Sequence, residues 1–339
     1  MIFKRNLLIL LGLLLLLCLA AIPAIVAGEY HITAQRSLEL IWAKLTGAPT
    51  ESFAKVEEVI VWKLRLPRML LALTAGMALA IAGTTYQGCF RNPLVEPYIL
   101  GVSSGAACGA ALAIIFPLVF PQMQLTAFFF ALSAVAITYF LAQHRGETST
   151  VALVLAGIIV GALFSSMVGI MKYLAEDAQL REITFWMMGG LHYANWEAAQ
   201  LNAAYVLPCF VILWFFSWKL NLLSLSDQES RSLGINPSVT RFICVCVATL
   251  AAAICVSLTG IIAWVGLMMP HAARLLLGSD HRWVIPGAAI MGGIYLLICD
   301  TLARTLTSAE IPLGIVTSIV GAPYLLWLLR SKGRQLYGM

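Results

Sequence analysis

Charge is scarce in this sequence. Only 11% of its 339 residues are Asp, Glu, Lys or Arg, against about 25% in soluble globular domains. A soluble fold of this size cannot hide a chain that is 61% hydrophobic inside one core. Ready-made catalytic and metal-binding patterns are scarce as well. There is no G-x-x-x-x-G-K-[ST], and Gly-Lys never occurs, so the chain does not hydrolyse ATP through a P-loop. No H-E-x-x-H is present, and the five histidines are scattered. The eight cysteines form no C-x-x-C. Seven of them (Cys18, Cys108, Cys209, Cys244, Cys246, Cys255, Cys299) lie inside apolar runs, and Cys89 ends one. They read as small buried hydrophobes rather than ligands. Asp300 is the one carboxylate within an apolar run, and Arg304 stands four residues on, which suits a local ion pair rather than a proton relay.

What the sequence does hold is apolar runs from end to end, at a mean hydropathy of +0.90. They cover about 7–27, 67–88, 98–120, 123–143, 151–171, 198–217, 240–258, 260–277, 284–303 and 311–329. The runs are continuous rather than alternating, which argues against a transmembrane barrel and points to helices. The expected fold is all-α, a polytopic membrane protein of about ten transmembrane helices, with residues 1–339 forming a single domain. Ala27-Gly28 offers a small-residue cleavage site, but the run before it is longer than a signal-peptide core, so a retained first helix is expected. An amphipathic outer segment follows at about 28–66. The balance of Lys and Arg between alternate loops favours both termini on the cytoplasmic side.

Polar punctuation between the runs carries the functional signals. "RNPLVEPYILGVSSGA", residues 91–106, places two prolines after a helix of about 33 Å that begins near Arg68. Such broken backbone is tolerated at a membrane face where it is buried in protein or borders water. An interfacial turn and the inner end of a pathway both satisfy that condition. In "GETSTVALVLAG", Ser149 or Thr150 could cap a helix or narrow a polar passage. "NLLSLSDQESRSLGINPSVTR", residues 221–241, is the longest polar interruption in the carboxyl-terminal half; Ser226 or Asp227 could cap a short amphipathic helix ending at Gly234. The one basic residue within that short helix, Arg231, suits a protein partner better than anionic lipid. "RLPR", Arg65 to Arg68, lies with Arg304 at the opposite face, where converging guanidinium groups would suit carboxylates of a soluble partner.

These stretches resemble the iron-chelate and cobalamin permease family, the membrane subunits of type II ABC importers. The resemblance runs from about Arg65 onward through "RLPR", "YQGCFRNPLVEPYILGVSSGA", "LAGIIV", "WMMGGL", "LNLLSLSDQESRSLGIN", "VGLMMPHAARLLLGSDHR" and "AEIPLGIVTSIVGAPYLLWLL". It implies a cobalamin-importer-permease-like homodimer in a bacterial or archaeal inner membrane, with a pathway along the dimer axis. Two ATP-binding-cassette subunits inside and a substrate-binding protein outside would complete the importer. ATP would be used by the partner; this chain would bind no cofactor or metal of its own and no nucleic acid. Asn92, Pro93 and Leu94, with Ser149 and Thr150, would form the gates. Ser226, Asp227, Glu229, Leu233 and Gly234 would belong to the segment that couples to the ATPase, within about 219–238. Arg65, Arg68 and Arg304 would receive acidic residues of the binding protein. The expected cargo is a metal chelate, above all a ferric siderophore, with cobalamin, haem or molybdate as alternatives. A secondary carrier and a membrane enzyme are the readings from other classes.

The sequence departs from the family pattern twice. "LSD" stands where Leu-Gly-Asp is common, placing Ser226 in the turn before Asp227. "TGIIAWVGL" changes the positions of Thr259, Ala263 and Trp264.

Overall fold

The computed structural model describes residues 2–28, 30–49, 53–144, 147–148, 150–307 and 309–337. In chain order the helices are α1 (Ile2–Val26), α2 (Ala34–Thr46) and α3 (Lys55–Glu58), which runs through a π-helical segment (Val59–Arg65) into α4 (Leu66–Phe90). A 3-10 turn (Pro97–Leu100) leads into α5 (Val102–Ile115) and α6 (Met123–Ala142). A hairpin of β1 (Gln143–His144) and β2 (Glu147–Thr148) precedes α7 (Thr150–Leu174) and α8 (Asp177–Met188). Then come α9 (Trp196–Phe215), α10 (Ser217–Leu223), α11 (Asp227–Ser232), α12 (Pro237–Thr259), α13 (Val265–Leu277), α14 (His281–Thr305) and α15 (Leu313–Tyr337).

Among the described residues, seven segments are long and apolar enough to cross a membrane: α1, α3 continued through α4, α6, α7, α9, α12 and α14. Helices α5, α13 and the Leu313–Trp327 part of α15 are apolar but shorter. The architecture is all-α and polytopic, and the ten apolar runs of the sequence each become a helix.

Helix α4 is the axis of the molecule. From Leu71 to Phe90 only Leu73 and Met77 escape full burial. It packs against α9, α12, α13 and α14. Small residues make this possible, because helices in lipid associate by close packing rather than by escape from water. A Cβ on Gly76 would overlap the Gly292 carbonyl of α14, and one on Gly83 would overlap the Gly266 carbonyl of α13. Polar side chains tie the same helices: Tyr86 Oη and Thr249 Oγ1 lie 2.7 Å apart, and Asn202 Nδ2 donates to Thr74 Oγ1 at 2.8 Å. By contrast α1 buries only Asn6, Ala24 and Ile25, and its leucines face outward.

Residues 28–66 are organised by a small cluster of their own. Thr33 caps α2, its side chain accepting from Arg36 N, and Leu40 of α2 packs with Ile32 and Val61. The Arg36–Glu57 ion pair, at 3.3 Å, fixes α2 on the start of the long α3–α4 rod.

Near the same end, three non-helical stretches cross. Gly190 N donates to Thr259 O (2.8 Å), and Leu313 N to Gly189 O (2.9 Å). The backbone groups freed by broken helices are thus satisfied by one another, as an apolar surrounding requires. Trp264 lies beside this crossing with φ of 75°, and its indole donates to Ser318 Oγ at 3.1 Å. The altered "AWVGL" stretch therefore bears on the α13–α15 contact.

Candidate coupling and docking sites

Two polar clusters occupy opposite ends of α4, about 38 Å apart at 1.5 Å per residue. The one at the Arg65 end gathers the three predicted docking arginines. Arg65 is only 5% exposed and donates to Ile25 O and Tyr30 O, both at 2.7 Å. Arg304 donates to Ala24 O at 2.9 Å and Ala27 O at 3.2 Å. These carbonyls belong to the end of α1 and the chain just beyond it, where a helix leaves acceptors unpaired and favours cations. Two of the three arginines thus tie α1 down.

Arg68 behaves differently. Its Nε donates to Asp300 Oδ1 at 2.9 Å, while Nη1 donates to both oxygens of Glu310, at 2.8 and 3.0 Å. Asp300 is buried between Arg68 and Arg304; the Arg304 Nε–Asp300 Oδ2 pair is 3.2 Å long, without hydrogen-bond geometry. The local Asp300–Arg304 pair expected from their spacing is present, but Arg68 shares the carboxylate. Glu310 is nearly half exposed and borders a cavity of about 520 Å³ with Arg65, Arg68, His192 and Arg304. Burial, helped by the Arg68 charge, lowers the His192 pKa, which favours a neutral ring there. An external carboxylate reaching Arg68 must compete with Glu310, a partner that sequence spacing does not reveal.

The opposite cluster is built on α11. Ser226 is its N-cap: Ser226 Oγ accepts from Glu229 N (3.3 Å), and Glu229 Oε2 accepts from Ser226 N (2.9 Å) and Oγ (2.6 Å). This reciprocal box gives the "LSD" variation a physical role, since Ser226 has extended backbone and needs no glycine. The same bonds hold the Glu229 carboxyl below its usual range. Leu233 is 53% exposed at the far end. Gly234 closes the helix with φ of 86°, and a Cβ there would meet open space, so only backbone strain opposes a side chain.

Asp227, the first residue of α11, is held by two arginines. Its Oδ1 accepts from Arg91 Nη2 and, at 3.2 Å, from Arg241 Nη2. Burial would raise this carboxyl, but the Arg241 charge and the bonds from Arg91 and Arg241 outweigh it and the pKa is lowered. Arg91 Nε also donates to Leu223 O (2.6 Å), and the buried Arg241 donates to Cys89 O (3.1 Å). Asn221 donates to Asp280 Oδ1 at 2.7 Å and accepts from His281 N at 2.9 Å, joining α10 to the start of α14. Burial opposes ionisation of Asp280, yet Arg282 and Asn221 bring it down to about 2.

The predicted gate residues follow Arg91 directly. Asn92 Oδ1 accepts from Leu94 N at 3.0 Å, so Asn92, Pro93 and Leu94 form a side-chain-closed turn. Asn92 and Pro93 border a cavity of about 690 Å³ with Gln87, Arg91, Arg274 and His281, while Leu94 is 51% exposed. Glu96, two residues beyond Leu94, is half-buried, and its Oε2 is sealed from solvent without a hydrogen-bond partner among the described residues. Burial raises its pKa to about 7. Of the second gate pair, Ser149 lies outside the described residues, and Thr150 begins α7. Nothing in the spacing of Arg241 or Glu96 marks either as a site residue in the sequence.

Residues 101–105 read Gly-x-Ser-x-Gly, a pattern that in hydrolases sits on a strand-to-helix turn. Here a 3-10 turn precedes it, and Ser103 is buried in the first turn of α5, so no exposed nucleophile results. Among the described residues no three His, Cys, Asp or Glu side chains group together as metal ligands would.

Comparison with known proteins agrees with this fold. A solved structure described as a metal-chelate type ABC transporter in an inward-facing conformation superposes with a TM-score of 0.84 at 35% identity, covering 96% of this chain and 99% of that one. The molybdate import system permease protein of Haemophilus influenzae is 36% identical over 93% of each chain. The vitamin B12 import system permease protein of Salmonella typhi is 36% identical, over 98% of this chain and 97% of its own. The hemin transport system permease protein of Yersinia pestis is 39% identical, over 82% and 85%. The FecCD transport family matches residues 12–331. With that match spanning nearly the whole chain, and with the motifs of the iron-chelate and cobalamin permeases placed at the two ends of α4, the chain belongs to the FecCD transport family.

Proposed function

We propose that this chain is the permease subunit of an ATP-driven importer for a metal chelate, working as a homodimer in the inner membrane with both termini cytoplasmic. The observation that carries the reading is the capped α11 and its exposed Leu233 at one end of α4, with the Arg68–Glu310 pair at the other. Residues 224–234 receive a cytoplasmic ATP-binding-cassette subunit, two such subunits serving the dimer. At the other face a loaded binding protein presents carboxylates to Arg68, in competition with Glu310, while Arg65 and Arg304 hold the α1 end in place. Asn92, Pro93 and Leu94, with Ser149 and Thr150, gate the cytoplasmic exit. The chain makes no covalent change in its cargo. A ferric siderophore is the cargo proposed; the relatives named for molybdate, hemin and vitamin B12 set the competing cargoes.

The test is reconstitution of this chain in vesicles with its cognate ATPase subunit and binding protein. Uptake of the chelate should require both partners and ATP, and ferric siderophore should be carried in preference to haem, cobalamin and molybdate. Accumulation by this chain alone, without ATP, would establish a secondary carrier instead.

A further inference from the structure

The strongest unassigned feature is the way α11 is fastened to the loop that holds Asn92 to Leu94. We propose that Arg91 and Arg241, gripping Asp227 from two sides, are the positioning residues that carry displacement of α11 to this loop. The inference rests on the importer reading given above and adds the route of transmission within it.

Three observations support it. First, one carboxylate oxygen takes both guanidinium groups, and each of these also grips backbone elsewhere. Arg91 holds Leu223 O at the end of α10, and Arg241 holds Cys89 O in the last turn of α4. Asp227 therefore cannot shift without drawing on α4, α10 and α12 together. Second, Arg91 is itself the residue joining α4 to the loop. It sits in the left-handed region at φ 50°, ψ 30°, one of two non-glycine residues with positive φ among those described. Such a conformation persists in a bulky residue only where surrounding contacts over-determine it. Here those contacts are Leu223 O and Asp227, so the backbone angle that aims Asn92 and Leu94 depends on α11. Third, slack is small on the α11 side. Ser230 Oγ donates to Leu222 O at 2.7 Å and Ile235 N to Ser230 O at 3.2 Å, binding α11 to its flanking turns. Arg241 is buried, and withdrawing Asp227 would strand its charge.

The experiment uses the complete importer in proteoliposomes and compares Asp227→Asn, Arg91→Ala and Asp227→Glu with wild type. For each, chelate taken up per ATP hydrolysed is measured alongside the melting temperature of the same sample. Nucleotide-dependent hydrogen exchange is followed at residues 91–96 and 224–234. Asp227→Asn and Arg91→Ala should lower uptake per ATP at least tenfold, and exchange at 224–234 should still respond to nucleotide while that at 91–96 no longer does. Asp227→Glu, which keeps the charge, should recover at least half of the ratio. The proposal is overturned by an uptake ratio within twofold of wild type in Asp227→Asn. It is equally overturned by an undiminished nucleotide response at 91–96, or by Asp227→Glu being as impaired as Asp227→Asn. Failure of the wild-type chain to assemble with any ATPase subunit would overturn the importer reading itself, a result distinct from all of these.

Discussion

Glu96 shows how one carboxyl with a buried oxygen can make stability depend on pH. In the folded protein burial shifts its pKa from an ordinary value near 4.5 to about 7. Folding then takes up a proton between those two values. Its contribution to stability is full below about 4.5 and is lost as pH rises through 7, at no more than about 1.4 kcal/mol per pH unit. Thermal unfolding in detergent should therefore show wild type losing stability relative to Glu96→Gln between pH 5 and pH 8. Parallel curves for the two proteins would mean that Glu96 is solvated. The opposite sign holds at Asp280, whose lowered pKa contributes above the ordinary carboxylate range and is lost only as pH falls towards 2.

At the scale of the helix, α11 rests on its first turn. Six residues are too few for a helix to persist by propensity alone. The Ser226–Glu229 box and the αL glycine at 234 supply what length does not. Ser226→Ala should cost about 1 kcal/mol, seen as faster amide exchange confined to residues 226–232, with little change in the melting temperature of the whole chain. A global loss of protection would show that the cap holds more than its own helix. The limits of sequence reading appear on this same element. The cap, the glycine and the polar run are local signals, so α11 was legible from 221–241, as was each apolar helix from its hydropathy. The grip of two arginines on Asp227 was not, because Arg91 is 136 positions away and Arg241 lies 14 positions on in the next helix, so neither pairing is a local signal. Arg65, Arg68 and Arg304 were legible as a group at one end, but not their inward contacts with Ile25, Ala24 and Glu310. Those depend on where α1 and the segment before α15 come to lie, which is tertiary information. Nor did composition reveal that residues 55–65 continue into α4 as one rod, since the π-helical segment carries no compositional signature.

For the molecule as a whole, the decisive contacts are glycine against backbone. Gly76 meets Gly292 and Gly83 meets Gly266, while Gly12 of α1 and Gly169 of α7 have open space where a Cβ would go. Gly83→Ala should destabilise by about 1–3 kcal/mol or more, since the neighbouring backbone must retreat. Gly12→Ala and Gly169→Ala should be neutral or stabilising by up to about 1 kcal/mol. Melting temperatures and elution profiles of the four proteins, wild type included, would check the contrast. Equal behaviour of Gly83→Ala and Gly12→Ala would show that α4 and α13 can separate freely. The spacing of the two contacts along α4, about two turns or 10 Å, keys its axis to both neighbours. Lengthwise gliding would drive carbonyl over carbonyl, so piston strokes are closed off. Tilting of α4, α13 and α14 as a single keyed wedge would leave both contacts intact, so motion by angle costs less than motion by stroke.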